Sequence, residues 1–230
     1  MPTAIITGAS RGLGLALARA LAERSWNLVL DARGGEALQK VAEELSATTE
    51  VVAVTGDVAD GDHRAELVEA ARGLGGPDLL VNNASLLGPS PQPKLADYPL
   101  DTFRTLYEVN VTAPLALIQR ALPLLAQSPQ GAVLNVTSDA GVEGYEGWGG
   151  YGSSKAALEQ LSKVLAAEHP ELKVWWVDPG DMNTQMQQEA FPDEDVSDRP
   201  PPEDSVPGIL NLIDEGAPSG RYQARPSTPQ

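Results

Sequence analysis

Cysteine is missing from all 230 residues, which excludes disulfides, thiolate nucleophiles and cysteine-bound metals. Histidine is nearly missing too. His63 and His169 are too few for a histidine-rich metal centre, so metal-free chemistry is expected. Positive charge is scarce: 16 Lys and Arg stand against 32 Asp and Glu, a net charge of −16. Such a surface repels nucleic acid and anionic membrane, which argues against both as partners. No run of about 18 apolar residues is present to span a bilayer. The N-terminus enters an apolar strand pattern without the charged start and cleavage site of a signal peptide, and a soluble, cytoplasmic chain is expected. Hydrophobic residues make up 42%, enough for one sizeable core at this length and too little for two. A single domain over residues 1–230 is expected, with no internal repeat and no dividing linker.

What is present begins with an apolar run at 3–7, followed at once by Gly8-Ala9-Ser10-Arg11-Gly12-Leu13-Gly14 and a helical run to about Arg24. Strand, glycine turn and helix in this order are the context of a dinucleotide site. Gly8 permits the tight turn, Gly12 lets a pyrophosphate approach the backbone, and Gly14 lets the helix pack close to the strand. A second strand at 27–30 ends in Asp31-Ala32-Arg33, with Asp31 still in the strand and Arg33 just beyond it. An acid at this tip would bind the ribose of NAD, whereas Arg33, joined by Arg11, would bind the 2′-phosphate of NADP. NADP(H) is therefore the expected cofactor, with NAD(H) possible.

The alternation continues with a helix at 35–46, a strand at 51–55 ending in Gly56-Asp57-Val58, and a helix at 61–73. A strand at 78–81 runs into Asn82-Asn83-Ala84-Ser85, whose paired amides can tie neighbouring loops together. Four prolines mark 86–99 as a surface loop. A long helix is predicted over 100–126. Asn110 and Pro114 should disturb its hydrogen-bond ladder and free a carbonyl. Strands at 132–136 and 172–177 flank a helix ending near Glu168. The second of them leads into Asp178-Pro179-Gly180-Asp181-Met182-Asn183-Thr184. Residues 185–202, acidic and Pro-rich, suit a mobile lid. A helix at 203–214, a strand at 221–224 and an unstructured tail from Pro226 to Gln230 complete the pattern.

The stretch from Ser138 to Lys155 holds a hydroxyl, a phenol and an ammonium. Tyr151 and Lys155, four apart, share one helix face, where the Lys charge is expected to lower the pKa of the phenol. On spacing alone, solvated decoration outweighs catalysis for such a pair. Its position after a strand end, with the glycine turn and Pro179-Gly180 elsewhere in the chain, reverses that balance.

Taken together, these motifs resemble the short-chain dehydrogenase/reductase family over nearly the whole chain. Residues Thr7 to Gly14 match its cofactor turn, Asp57-Val58 its adenine contact, and Asn82-Asn83-Ala84 its central-strand motif. Asn110, Ser138, Tyr151 and Lys155 match its catalytic tetrad, and Pro179-Gly180 with Thr184 its nicotinamide-side loop. The family's central motif usually ends in Gly, where this chain has Ser85.

The resemblance implies an α/β Rossmann-type fold, a doubly wound seven-stranded parallel sheet of order 3-2-1-4-5-6-7 with helices on both faces. It implies hydride transfer between NADP(H) and a small carbonyl or alcohol, with Tyr151 as acid/base, and a homo-oligomer, dimer or tetramer. Cofactor contacts are expected from Gly8, Ser10, Arg11, Gly12, Leu13, Gly14, Arg33, Asp57, Val58, Asn83, Ala84 and Ser85. Tyr151, Lys155, Pro179, Gly180, Met182 and Thr184 complete that set. Tyr145, Trp148, Met182, Met186 and Phe191 point to a partly apolar substrate. The alternative is a dinucleotide-binding regulator or redox sensor without turnover, against which Tyr151 and Lys155 together argue.

Overall fold

The computed structural model describes residues 1–225, so the expectation for the tail from Pro226 to Gln230 lies outside them. Strand β1 (Thr3–Ile6) is wholly buried, and α1 (Gly12–Glu23) lays Leu13, Leu17 and Leu21 against the sheet at four-residue spacing. There follow β2 (Asn27–Ala32), α2 (Gly35–Leu45), β3 (Val51–Thr55), α3 (Gly61–Gly73), β4 (Leu79–Asn82) and α4 (Leu100–Tyr107). The chain continues through α5 (Ala113–Leu125), β5 (Ala132–Val136), α6 (Gly149–Glu168), β6 (Lys173–Asp178), α7 (Gln185–Ala190), α8 (Val206–Glu215) and β7 (Gly220–Gln223).

All seven strands pair in parallel in the order β3-β2-β1-β4-β5-β6-β7, as the resemblance implied. Central strands are apolar on both faces because helices cover both. Ala4, Ile6, Leu28, Leu30, Leu79 and Val81 pack under α1, α2 and α8, while Ile5, Val29, Leu80 and Val133 pack under α3 and α5. Full burial of each such Leu or Ile side chain contributes about 1.5–3 kcal/mol. The reversal of strand order between β1 and β4 leaves a crevice at the carboxyl ends of the strands, and the loops there carry the candidate residues.

The helix predicted over 100–126 is three pieces: α4, a π-helical turn at Glu108–Thr112, and α5. Pro114 has no N–H to return to the carbonyl of Asn110 four residues back, and the ladder widens there. The segment expected to be a lid holds a short helix, α7, capped by Thr184 Oγ1 accepting from the Gln187 N–H at 3.2 Å. Among the described residues, no helix is long and apolar enough to cross a membrane.

Candidate active site

The glycine turn is held from two sides. Asn83 Nδ2 donates to the Thr7 carbonyl at 2.8 Å and to the Gly8 carbonyl at 3.2 Å, while Thr7 Oγ1 accepts from the N–H groups of Asn83 and Ala84, each at 3.0 Å. Gly8 sits at φ +67°, a conformation that disfavours a side chain, and a Cβ on Gly14 would lie 2.4 Å from the Gly8 carbonyl oxygen. Gly12, at φ +56°, faces only the Thr184 methyl, 3.7 Å from where its Cβ would be. The turn after β1 and the loop after β6 thus oppose each other. Leu13 is buried beneath the turn, and Ser10 is half-buried.

At the end of β2, exposed Arg33 lines a cleft of roughly 370 Å³ together with Asp57, Ala59, Leu86, Arg104 and Val109. Val58 is buried beside Val109 and Ala113. The Arg11 guanidinium, in the turn after β1, donates to the Gln185 side chain on α7. Asp31 is turned inward and engaged with His63 and the Gly8 N–H, so its carboxylate is not presented at the tip.

Asn110, 1% exposed, is bracketed by the loop after β4. Its Oδ1 accepts from the Leu86 N–H at 2.8 Å and from Ser85 Oγ at 3.2 Å, and its Nδ2 donates to the Leu86 carbonyl at 2.8 Å and to Ser154 Oγ at 3.0 Å. The side chain therefore fixes the loop that carries Ser85. The Ser85 hydroxyl also acts on the Tyr151 phenol, favouring its ionised form. Ser138 follows β5, where its Oγ accepts from the Ala140 N–H at 3.2 Å and donates to Asp139 Oδ1 at 2.9 Å.

Tyr151 and Lys155 lie one turn apart on α6, both buried. Lys155 Nζ donates to the Val136 carbonyl at 2.9 Å and lies 5.4 Å from the centre of the Tyr151 ring. Burial pushes the ammonium down to about 8. The expected lowering of the phenol by Lys155 is not what the structure shows. Burial raises Tyr151 well above the ordinary phenol value, the Ser85 hydroxyl opposes the rise, and Asp178 and Asp139 add to it. The ammonium is spent on the backbone of β5 rather than on the phenol oxygen.

Gly180, at φ +71°, donates its N–H to Asp178 Oδ1 at 2.9 Å, and the Pro179 carbonyl accepts from Ser205 Oγ at 2.8 Å. Met182 packs against the core beneath α1 and α8. Around Tyr151, Leu87, Trp148, Met186 and Ala190 gather into one apolar wall, with Trp148 edge-on to Tyr151 at 5.8 Å and tilted against Phe191 at 5.8 Å. Tyr145 is more exposed and donates to Asp139 Oδ2 at 3.1 Å. Among the described residues, no group of three or more His, Cys, Asp or Glu could hold a metal ion.

Two residues that support this site gave no signal in the sequence. Glu159, one further turn along the Tyr151 and Lys155 face, accepts from Thr137 Oγ1 at 2.8 Å and from Arg221 Nε at 3.0 Å. Arg221 reaches from β7 to the Ser138 carbonyl at 3.4 Å and to Asp178 Oδ2 at 3.3 Å. Their spacing in sequence, 62 residues, hides the pair.

A family model described as short chain dehydrogenase matches residues 2–195. A benzil reductase ((S)-benzoin forming) of Saccharomyces cerevisiae is 36% identical over 193 residues, covering 80% of this chain and 73% of that protein. A sepiapterin reductase of Meriones unguiculatus is 35% identical over 199 residues, covering 81% and 76%. Among solved structures, an alcohol dehydrogenase from the archaeon Thermococcus sibiricus, complexed with 5-hydroxy-NADP, superposes with a TM-score of 0.88 at 27% identity, covering 100% of this chain and 99% of that one.

Proposed function

The chain belongs to the short-chain dehydrogenase/reductase family, and from that premise we propose that it is an NADP(H)-dependent oxidoreductase interconverting a carbonyl compound and its alcohol. The observation that carries this reading is the placement of Tyr151 and Lys155, both buried on one face of α6, beside the end of β5 where Ser138 begins its loop. The cofactor site is supported by the side-chain-free Gly12 facing Thr184 and by the cleft that runs from Arg33 to Asp57. Arg33 stands free at the tip of β2 while Asp31 is occupied inside, which favours a 2′-phosphate over a bare ribose. The complex of the Thermococcus sibiricus enzyme with an NADP derivative points the same way.

Bound NADPH supplies the hydride, and the chain supplies position and a proton. Tyr151, kept protonated by burial, donates its phenolic proton to the carbonyl oxygen during reduction and recovers it in the reverse direction. Ser138 donates a second hydrogen bond to the same oxygen as charge develops there. Lys155 would hold the cofactor through its ribose hydroxyls, and its ammonium would offset the cost of ionising Tyr151. Asn110 holds the loop of Ser85 and Leu86 in place beside the phenol. The apolar wall of Leu87, Trp148 and Met186 suits a partly apolar carbonyl substrate, with residues 185–202 acting as its lid. The curated relatives, named for benzil and sepiapterin, guide the choice of test compounds.

Tyr151→Phe tests the assignment. NADPH consumption against a panel of ketones, diketones and aldehydes should fall by at least about a thousandfold, with NADPH affinity within roughly threefold of the parent. Retained turnover removes Tyr151 from its role, and a parent chain that binds NADPH yet turns over none of the panel favours the binding-regulator alternative.

A further inference from the structure

We infer that Asp31 and His63 form a buried positioning pair that sets the cofactor turn and the adenine-side loop as one unit; the inference rests on the NADP(H) reading above. Neither side chain lines the cleft, so they act through other residues. Asp31, near the end of β2, is 2% exposed, and a carboxylate so buried is costly unless its oxygens are satisfied. They are satisfied in two directions. Oδ1 lies 2.6 Å from His63 Nε2, and Oδ2 accepts from the Gly8 N–H at 3.3 Å. The backbone carbonyl of Asp31 accepts from the Ala9 N–H at 2.8 Å. One residue therefore grips the two consecutive residues that open the glycine turn, including Gly8 at its left-handed φ.

His63 provides the other half of the grip. It stands in the first turn of α3, 5% exposed, and its ring fills the space above Gly56. A Cβ on Gly56 would come within 2.3 Å of Nδ1, so the bare glycine is what admits the ring. Gly56 is followed directly by Asp57 and Val58, the residues matched to the adenine contact. The imidazole is thus wedged between the loop that would take the pyrophosphate and the loop that would take the adenine. Burial pushes the Asp31 carboxyl up and the His63 bond opposes this, consistent with an acid that depends on its partner.

The pyrophosphate and adenine are common to NADPH and NADH, so a defect in this pair should weaken both equally. That separates it from Arg33, which should discriminate between them. The test titrates NADPH and NADH into the full-length protein carrying His63→Leu, His63→Gln or Asp31→Asn, with thermal midpoints and turnover at saturating cofactor measured alongside. His63→Leu and Asp31→Asn should each raise both Kd values about tenfold, with the loss falling on affinity rather than on kcat. His63→Gln, whose amide can still donate to Asp31, should recover to within about threefold of the parent. Kd values within twofold of the parent for both cofactors, or a loss confined to NADPH, overturn the inference. Should His63→Leu fail to fold, the near-isosteric Asp31→Asn decides by the same criteria. A parent chain that binds neither dinucleotide overturns the NADP(H) reading itself, a result distinct from a variant that binds like its parent.

Discussion

The hydroxyl of Ser85 donates to the Asn110 side chain and acts on the Tyr151 phenol, so a position usually bare in the family carries a polar group beside the proposed acid/base. That hydroxyl holds the phenol down against burial and the nearby Asp178 and Asp139. Ser85→Gly should therefore move the pH profile of alcohol oxidation to higher pH and slow oxidation near pH 8 by roughly tenfold. An unchanged profile in a steady-state pH series would deny Ser85 this influence. Lys155 gives a second, thermodynamic prediction. Its ammonium falls from an ordinary 10.5 to about 8 on burial, so the charged form is disfavoured in the folded state. The unfolded chain binds the proton more tightly between these values, and stability attributable to this group rises with pH from about 8 to 10.5. Below that window the full penalty applies. Lys155→Met should thus be inactive yet more stable at pH 7, by at most about 3 kcal/mol, less whatever the lost bond to Val136 contributed. Denaturant melts at pH 7 and pH 10 should show the advantage shrinking at the higher pH; a constant difference would exclude desolvation as its cause.

At the level of elements, the ends of strands position the residues proposed to choose the cofactor. In β2, the alternation that buries Asp31 sends its carboxylate toward α3, while the chain turns outward at Arg33. Arg33→Ala is expected to weaken NADPH roughly tenfold or more while leaving NADH within about twofold, as read by paired fluorescence titrations. Equal losses for both cofactors would remove Arg33 from the 2′-phosphate. The π turn between α4 and α5 was half legible: Asn110 and Pro114 announced a disturbed ladder, but not that the Asn110 amide would bracket Leu86 from both sides. The loop it bracketed lies 24 residues away, beyond any helical periodicity. Likewise α7 was hidden within a Pro-rich stretch, because six residues are too few to establish a period.

Across the whole molecule, β7 is joined to the active site by Arg221, which links Glu159 on α6, Asp178 on β6 and the Ser138 carbonyl. Glu159 is 4% exposed, and removing its cation leaves a buried carboxylate without its charge partner. Arg221→Met should lower stability by about 3 kcal/mol, and adding Glu159→Gln should restore part of it because the stranded charge is gone. Additive losses in a double-mutant cycle of denaturant melts would show the two residues to be uncoupled. Apolar runs and glycine turns sufficed for the alternation of strands and helices, since their periods are local properties of a chain, while the parallel order of the sheet followed from the family resemblance. Partnership across the fold was a different matter. That Lys155 bonds the backbone of β5, that Arg11 meets Gln185, and that Asp31 meets His63 were decided only when α3, α6 and α7 packed onto the sheet. Burial and the nearest available donor set those contacts, and both are properties of the assembled molecule rather than of any segment.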